Sequence, residues 1–300
     1  MPVQAQLRAP RSIAGPWPRE RSEHLDLPLA FRVTGIVPEL PEVETVARSI
    51  APLVGRQIVS AEFRATRVLR GGDPDRMSAR LQGTRIAAVK RHGKFILVSM
   101  EGGGYLVIHL GMTGRLLLGG AAGKHTHAIL TLDRGVLLYD DTRQFGALEF
   151  HEEFPRRVAK LGPEPLEVSF EEFARALKRR KTRVKALLLN QSFLRGLGNI
   201  YADEALFRAG IHPLAIASRL RGDRPRRLFD AIAAVLSEAI AAGGSSISDY
   251  VDAEGRKGFF QMSHRVYQRT GEPCVICGTP IRRLLVAQRS SHFCPKCQKR

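Results

Sequence analysis

Lys185-Ala186-Leu187-Leu188-Leu189-Asn190-Gln191, followed by Gly196-Leu197-Gly198-Asn199 and the run Ile200 to Ala209, reads as two helices joined by a glycine-rich turn. Asn199 is placed to cap the second helix, whose unpaired N–H groups and positive dipole end make a ready phosphate site. Directly upstream runs Lys178-Arg179-Arg180-Lys181-Thr182-Arg183-Val184-Lys185. A basic run is commonly a solvated face, and G-x-G-N can be a plain connection. With one short helix between them, the two together favour a clamp on a DNA backbone.

The composition points the same way. The 300 residues suit about two domains, and 47 Lys and Arg against 29 Asp and Glu give a net charge of +18. Such an excess favours a polyanionic partner, nucleic acid ahead of an anionic membrane surface. No apolar run approaches the roughly 20 residues needed to span a bilayer, and no basic helix has the aromatic face of a surface binder. On the N-terminal side a helix over 41–53 precedes short apolar runs at 57–63, 85–90, 95–100, 105–110, 115–118, 128–132, 136–140 and 147–150. These read as antiparallel strands of a β-sandwich, so the fold class is α+β. No internal repeat is evident.

All four cysteines fall in Cys274-x2-Cys277-x16-Cys294-x2-Cys297. Two C-x-x-C knuckles at this separation match a four-thiolate zinc template, with one structural Zn2+ as the expected cofactor. The alternative is two disulfides, suited to an exported chain, or four unrelated buried thiols. His292 is a further donor candidate, an ordinary exposed histidine being the commoner reading. The residues between the knuckles, Ile281 to Phe293, read as two short strands whose turn presents Gln288 and Arg289, a basic hairpin suited to probing a groove. Bare zinc ribbons also mediate protein contacts.

The last signal stands near the other end: Val37-Pro38-Glu39-Leu40-Pro41-Glu42-Val43-Glu44-Thr45. By itself Pro38-Glu39 is an ordinary helix start. This stretch nevertheless resembles the mature amino terminus of the formamidopyrimidine-DNA glycosylases, bacterial enzymes that excise oxidised purines. Lys185 to Phe207 looks like the helix-two-turn-helix of that family. Further similarity lies in Arg91-His92-Gly93-Lys94-Phe95, His109-Leu110-Gly111-Met112-Thr113-Gly114, Lys124-His125-Thr126-His127 and Leu161-Gly162-Pro163-Glu164-Pro165-Leu166. The resemblance runs from Pro38 to Lys299 with its motifs in matching order.

It implies a bifunctional glycosylase and AP lyase of base excision repair, acting on double-stranded DNA with oxidised or abasic sites. Pro38 would be the nucleophile through a free secondary amine, Glu39 the general acid/base, Lys94 the proton donor in β-elimination and Arg289 a phosphate grip assisting δ-elimination. Arginine is a poor acid, which favours the gripping role. Glu42 and Glu44 either shape the same pocket or form an acidic helix start. Met112, Arg143 and Phe145 match the family's void-filling trio, with core packing the alternative for Met112 and Phe145. Thr142 and Gln144 depart from the usual proline and arginine there, which bears on opposite-base preference. His125, Arg143, Arg180, Lys185 and Asn199 map to DNA contacts. Residues 243–260, rich in glycine and serine, suggest a mobile loop for lesion choice or a plain surface connection.

The expected boundaries are a disordered extension over 1–37, a catalytic sandwich over 38–162, a helical domain over 168–261 and a zinc finger over 262–300. The extension lacks the apolar core of a signal peptide, and its Glu20, Glu23 and Asp26 fit a transit peptide poorly. In this sequence Val37 blocks the Pro38 amine, so translation is expected to begin at Val37, with the working protein starting at Pro38. A monomer in the bacterial cytoplasm, associated with the nucleoid through DNA, is expected. Two other readings compete: an endonuclease VIII-like enzyme for oxidised pyrimidines, and a catalytically silent DNA-binding zinc protein should Val37 remain attached.

Overall fold

The computed structural model describes residues 37–64, 67–70, 72–246 and 250–300. The expected extension, apart from Val37, lies outside the described residues, as does the 247–249 part of the proposed lesion loop.

Helix α1 (Leu40–Ser49) begins at Glu39, with proline in its first turn, and buries Leu40, Val43, Val46 and Ala47 at helical spacing. A 3-10 turn, Ala51–Leu53, follows, and its proline prevents the α-helix from continuing. The helix thus ends four residues earlier than 41–53 predicts.

Among the described residues, eight strands form two antiparallel four-stranded sheets. One has the order β1 (Ile58–Phe63), β6 (Thr126–Leu132), β7 (Val136–Asp141), β5 (Gly114–Leu118). The other runs β2 (Ile86–His92), β3 (Phe95–Met100), β4 (Tyr105–His109), β8 (Ala147–His151). Ile96, Val98, Leu106 and Ile108 of the second sheet join Leu116, Leu130, Leu137 and Tyr139 of the first in one core. The opposite side of the second sheet buries Leu97 and Val107 with Val158 of α3 (Arg156–Ala159). Two apolar faces explain why β3 and β4 read as near-continuous hydrophobic runs. Helix α2 (Pro74–Leu81) is absent from the sequence reading, although Asp73 caps it by accepting from Asp75 N at 2.9 Å and Pro74 opens it.

The helical domain contains α4 (Phe170–Lys178), α5 (Val184–Leu189), α6 (Asn199–Arg208) and α7 (Arg224–Ala241). It is joined to the sandwich by a buried ion cluster. Arg91 of β2 reaches Glu44 at 2.7 Å and Glu164 at 2.8 Å, and Arg195 reaches Glu164 at 3.0 Å. The C-terminal hairpin pairs β9 (Arg282–Val286) with β10 (Arg289–Phe293), as the pattern of Ile281 to Phe293 predicts. Among the described residues, no helix is long and apolar enough to cross a membrane.

Candidate active site and nucleic-acid interface

Glu39 is buried, and its carboxylate sits on the start of α6. Oε1 accepts from Ile200 N at 3.0 Å and Oε2 from Tyr201 N at 3.4 Å. A Cβ on Gly198 would lie 2.2 Å from Glu39 Cδ, so only glycine admits the carboxylate to these amides. Gly196, with φ 87°, accepts from Leu40 N at 3.0 Å, and a Cβ there would meet Leu40 at 2.8 Å. The G-x-G-N turn is therefore the seat of the α1 N-terminus. This corrects two expectations: Gly198 is the N-cap while Asn199 is the first helical residue, and the anion on the α6 dipole is Glu39 rather than a phosphate.

Burial raises the Glu39 pKa above the usual carboxylate value, opposed by the charge of Lys94 and the α6 amides. Glu42 accepts from Glu39 N at 2.9 Å, from Ser245 N at 2.7 Å and from the Tyr201 hydroxyl. Its own pKa is pushed up to about 7 by burial and by the neighbouring Glu39 charge. Glu44 points elsewhere, to Arg48 and Arg91, so of the two further acids only Glu42 shapes the pocket. Tyr201 and Ser245, which complete the pocket, were not singled out from sequence. The signal in the sequence is the Gly243-Gly244 pair before Ser245; in the structure Gly244 has φ 80°, and a Cβ there would lie 2.8 Å from Glu42 Oε1.

Lys94 lies in the two-residue turn between β2 and β3, after Gly93 with φ 62°, rather than in the strand itself. Burial lowers its pKa, with Glu39 and Glu42 opposing and the charge of Arg289 adding to the shift. Glu39 and Arg289, 250 residues apart in sequence, thus both lie within electrostatic reach of Lys94. Pro38, directly before Glu39, is buried at the same place. His109 is held down at about 4 by burial and by Lys94, so it is neutral near pH 7 and its Nδ1 accepts from Gly111 N at 3.1 Å.

Buried Asp141 shapes the loop that carries Arg143 and Phe145. Its carboxylate accepts from Arg143 N, Gln144 N, Gly146 N at 2.7 Å and the Thr113 hydroxyl. Gly111, with φ 63°, packs so closely that a Cβ would sit 2.4 Å from the Phe145 carbonyl carbon. Half-buried Met112 is thereby set beside the loop, where Phe145 is 36% exposed with the Arg143 guanidinium 4.7 Å from its ring centre. Core packing does not account for an aromatic ring this exposed. Gln144 adopts a left-handed φ of 55°.

His125 is exposed before β6, and Arg180 is half-buried. Asn199 leaves its buried Oδ1 without a hydrogen-bond partner among the described residues. Lys185 differs from the expectation of a DNA contact: it is fully buried, 2.7 Å from Asp203 and donating to Ser290 O at 2.8 Å. His292 is buried as well, and Asp203 accepts from both its backbone N at 2.9 Å and its Nδ1 at 3.1 Å. It is a satisfied core histidine, neither exposed nor turned to a metal. This cluster anchors the hairpin beside Arg289, which is exposed next to the Ala287-Gln288 turn with φ 46° and 60°.

The described residues that directly follow 247–249 are packed rather than free in solvent. Tyr250 and Ala253 join the sandwich core, and the Tyr250 hydroxyl donates to Glu42 O at 3.2 Å.

The four cysteine sulfurs all lie within 4.8 Å of one another, with Cys274–Cys297 at 3.9 Å and Cys277–Cys294 at 3.5 Å. A tetrahedron with Zn–S bonds of about 2.3 Å has edges of roughly 3.8 Å, so the donor set fits one zinc ion.

A sandwich, a helix-two-turn-helix and a four-cysteine finger that meet at a proline–glutamate pair define a DNA glycosylase of the helix-two-turn-helix class. Three family profiles match: the formamidopyrimidine-DNA glycosylase N-terminal domain over 37–148, its H2TH domain over 161–251, and the zinc finger found in FPG and IleRS over 271–300. Formamidopyrimidine-DNA glycosylase of Solibacter usitatus is 74% identical over 264 residues, covering 88% of this chain and all of that protein. The Heliobacterium modesticaldum protein of the same name is 49% identical with the same coverage. The crystal structure of MutM (Fpg) from Thermus thermophilus aligns with TM-score 0.78 and 44% identity over 87% of this chain and 98% of that one. A Lactococcus lactis Fpg variant in complex with Fapy-dG-containing DNA aligns with TM-score 0.80 and 36% identity, over 88% and 100%. The chain belongs to the formamidopyrimidine-DNA glycosylase family.

Proposed function

We propose that this protein removes oxidised purines, 8-oxoguanine and formamidopyrimidines, from duplex DNA and then cleaves the strand at the abasic site. The observation that carries this reading is the Glu39 carboxyl, buried on the α6 N-terminus beside Pro38 and within electrostatic reach of Lys94. A proline amine freed at the chain start has a pKa near 8, so a useful fraction is neutral near pH 7. Its lone pair attacks C1′ of the damaged nucleotide and the glycosidic bond breaks with its electrons leaving on the base; the amine then loses its proton, the C1′–O4′ bond breaks with its electrons leaving on O4′, which Glu39 protonates, and the opened sugar is held as an iminium. The resulting iminium acidifies the C2′ proton. Loss of that proton expels the 3′ phosphate, and a second elimination expels the 5′ phosphate.

Lys94 donates a proton in the first elimination, and Arg289 grips the flanking phosphates. Met112, Arg143 and Phe145 fill the gap left by an extruded nucleotide, which costs a few kcal/mol of stacking and pairing. His125, Arg180 and Asn199 hold the backbone. Cys274, Cys277, Cys294 and Cys297 hold the zinc ion, which fixes the hairpin that carries Arg289. The working protein begins at Pro38 and acts as a monomer in the cytoplasm.

Borohydride trapping on duplexes with either 8-oxoguanine or thymine glycol tests the substrate class. Preferential trapping on 8-oxoguanine is expected; preference for thymine glycol would replace this reading with a pyrimidine-specific one.

A further inference from the structure

Between Glu172 and Asp223 the sequence holds two acids, Asp203 and Glu204, and both are buried. The surface of this 50-residue stretch, residues 173–222, therefore carries no negative side chain. Two of its segments, far apart in sequence, are pinned side by side by backbone hydrogen bonds: Ser218 N to Arg180 O at 2.9 Å, Ala217 N to Thr182 O at 3.0 Å and Val184 N to Ala215 O at 2.7 Å. That pairing sets exposed Lys178, Arg179, Lys181 and Arg183 next to exposed Arg219 and Arg221. None of these six is ion-paired to a carboxylate among the described residues. A few residues on, Arg226 and Arg227 are neutralised by Asp230 and Asp223 at 3.0 and 3.2 Å. The unneutralised patch stops where the acids resume.

The patch is also placed with respect to the site. Arg183 is two residues before Lys185, whose ammonium holds Ser290 O, and Ser290 follows Arg289. A row of cations thus leads from Arg289 at the active site, past the start of α5, to Arg219 and Arg221.

We propose that Arg219 and Arg221 form a second DNA-backbone contact, outside the lesion site, that holds duplex irrespective of damage. The inference rests on the DNA reading above but concerns residues that no catalytic step uses. The chemistry fits phosphate: guanidinium groups bind phosphate oxygens, and their exposure means little desolvation opposes the contact. Each neutralised phosphate contributes about 0.9 to the slope of log K against log salt, so losing two should lower that slope by about 1.8.

The test is a salt titration of binding to undamaged and to 8-oxoguanine-containing 30-base-pair duplex, with single-turnover excision at saturating enzyme measured alongside. R219S/R221S should lower the slope by about 1.8 on both duplexes and leave the saturated excision rate within twofold. R219K/R221K should retain the slope, and R134S, at an exposed arginine of the β6–β7 turn, should leave it unchanged. An unaltered slope in R219S/R221S would show a solvated face. A slope change only on damaged DNA, or a fall in saturated excision, would place these arginines in the lesion site and overturn the proposal. Failure of the wild type to excise would overturn the glycosylase reading separately, because the binding slopes are measured without turnover.

Discussion

Glu39 and Gly198 touch across the boundary between sandwich and helical domain, with no room for a Cβ on Gly198. The acid next to Pro38 is therefore oriented by a turn 159 residues away in sequence, and α6 lends it the N–H groups that resist its desolvation.

Gly198→Ala must push the Glu39 carboxyl off Ile200 N. Because positioned acid–base groups contribute about 10²–10⁴-fold, base excision under single-turnover conditions should fall roughly a hundredfold. Binding to an abasic-site analogue should hold within a few fold.

Glu39→Gln keeps an acceptor for the α6 amides and removes the transferable proton. Excision should drop at least a hundredfold with melting temperature little changed; wild-type excision by this variant would remove Glu39 from the chemistry.

Glu42 links stability to pH. Its folded pKa of about 7 lies above the ordinary 4.5, so the native state holds a proton that the unfolded state has released. The associated stability is fully present below about pH 4.5 and is lost as pH rises through 7. At 1.36 kcal/mol per pKa unit this is on the order of 3 kcal/mol. Denaturant midpoints for wild type and Glu42→Gln between pH 5 and 8 should diverge in slope, with the variant flatter over this window.

Lys185→Met leaves Asp203 buried without its cation, which costs about 3–5 kcal/mol in comparable pairs. Urea unfolding should show a loss of that size, and the double variant K185M/D203L should recover part of it. A change confined to DNA affinity, with stability intact, would instead return Lys185 to the phosphate contacts.

Chelation of the zinc should release the β9–β10 hairpin and with it Arg289. Anisotropy with lesion DNA is expected to report at least a tenfold loss of affinity, restored by added Zn2+; retained affinity after verified metal removal would separate the finger from DNA binding.

The strands were legible because alternating or doubly apolar runs and glycine turns mark them, and β3 matches its predicted bounds. The zinc knuckles were legible because ligand spacing is a local property. The Pro38, Glu39, Lys94 and Arg289 convergence required the resemblance, since these residues are brought together only by tertiary packing. Lys185 misled for a physical reason: it ends a basic run, but its partner Asp203 lies on another helix, and nothing local distinguishes a lysine that turns inward. Asn199 misled similarly, because a side chain suited to capping was displaced by a carboxylate from the far end of the chain. Helix α2 had its signal in Asp73-Pro74, an N-cap followed by a first-turn proline.

The proposed chemistry stands or falls with the Pro38 amine as nucleophile. Borohydride trapping on an abasic-site duplex, comparing protein that begins at Pro38 with protein that retains Val37, tests it most directly. A covalent protein–DNA adduct that peptide mapping locates at Pro38 is expected in the first form, and none in the second. Equal trapping by both forms, or an adduct mapped to Lys94, would contradict it.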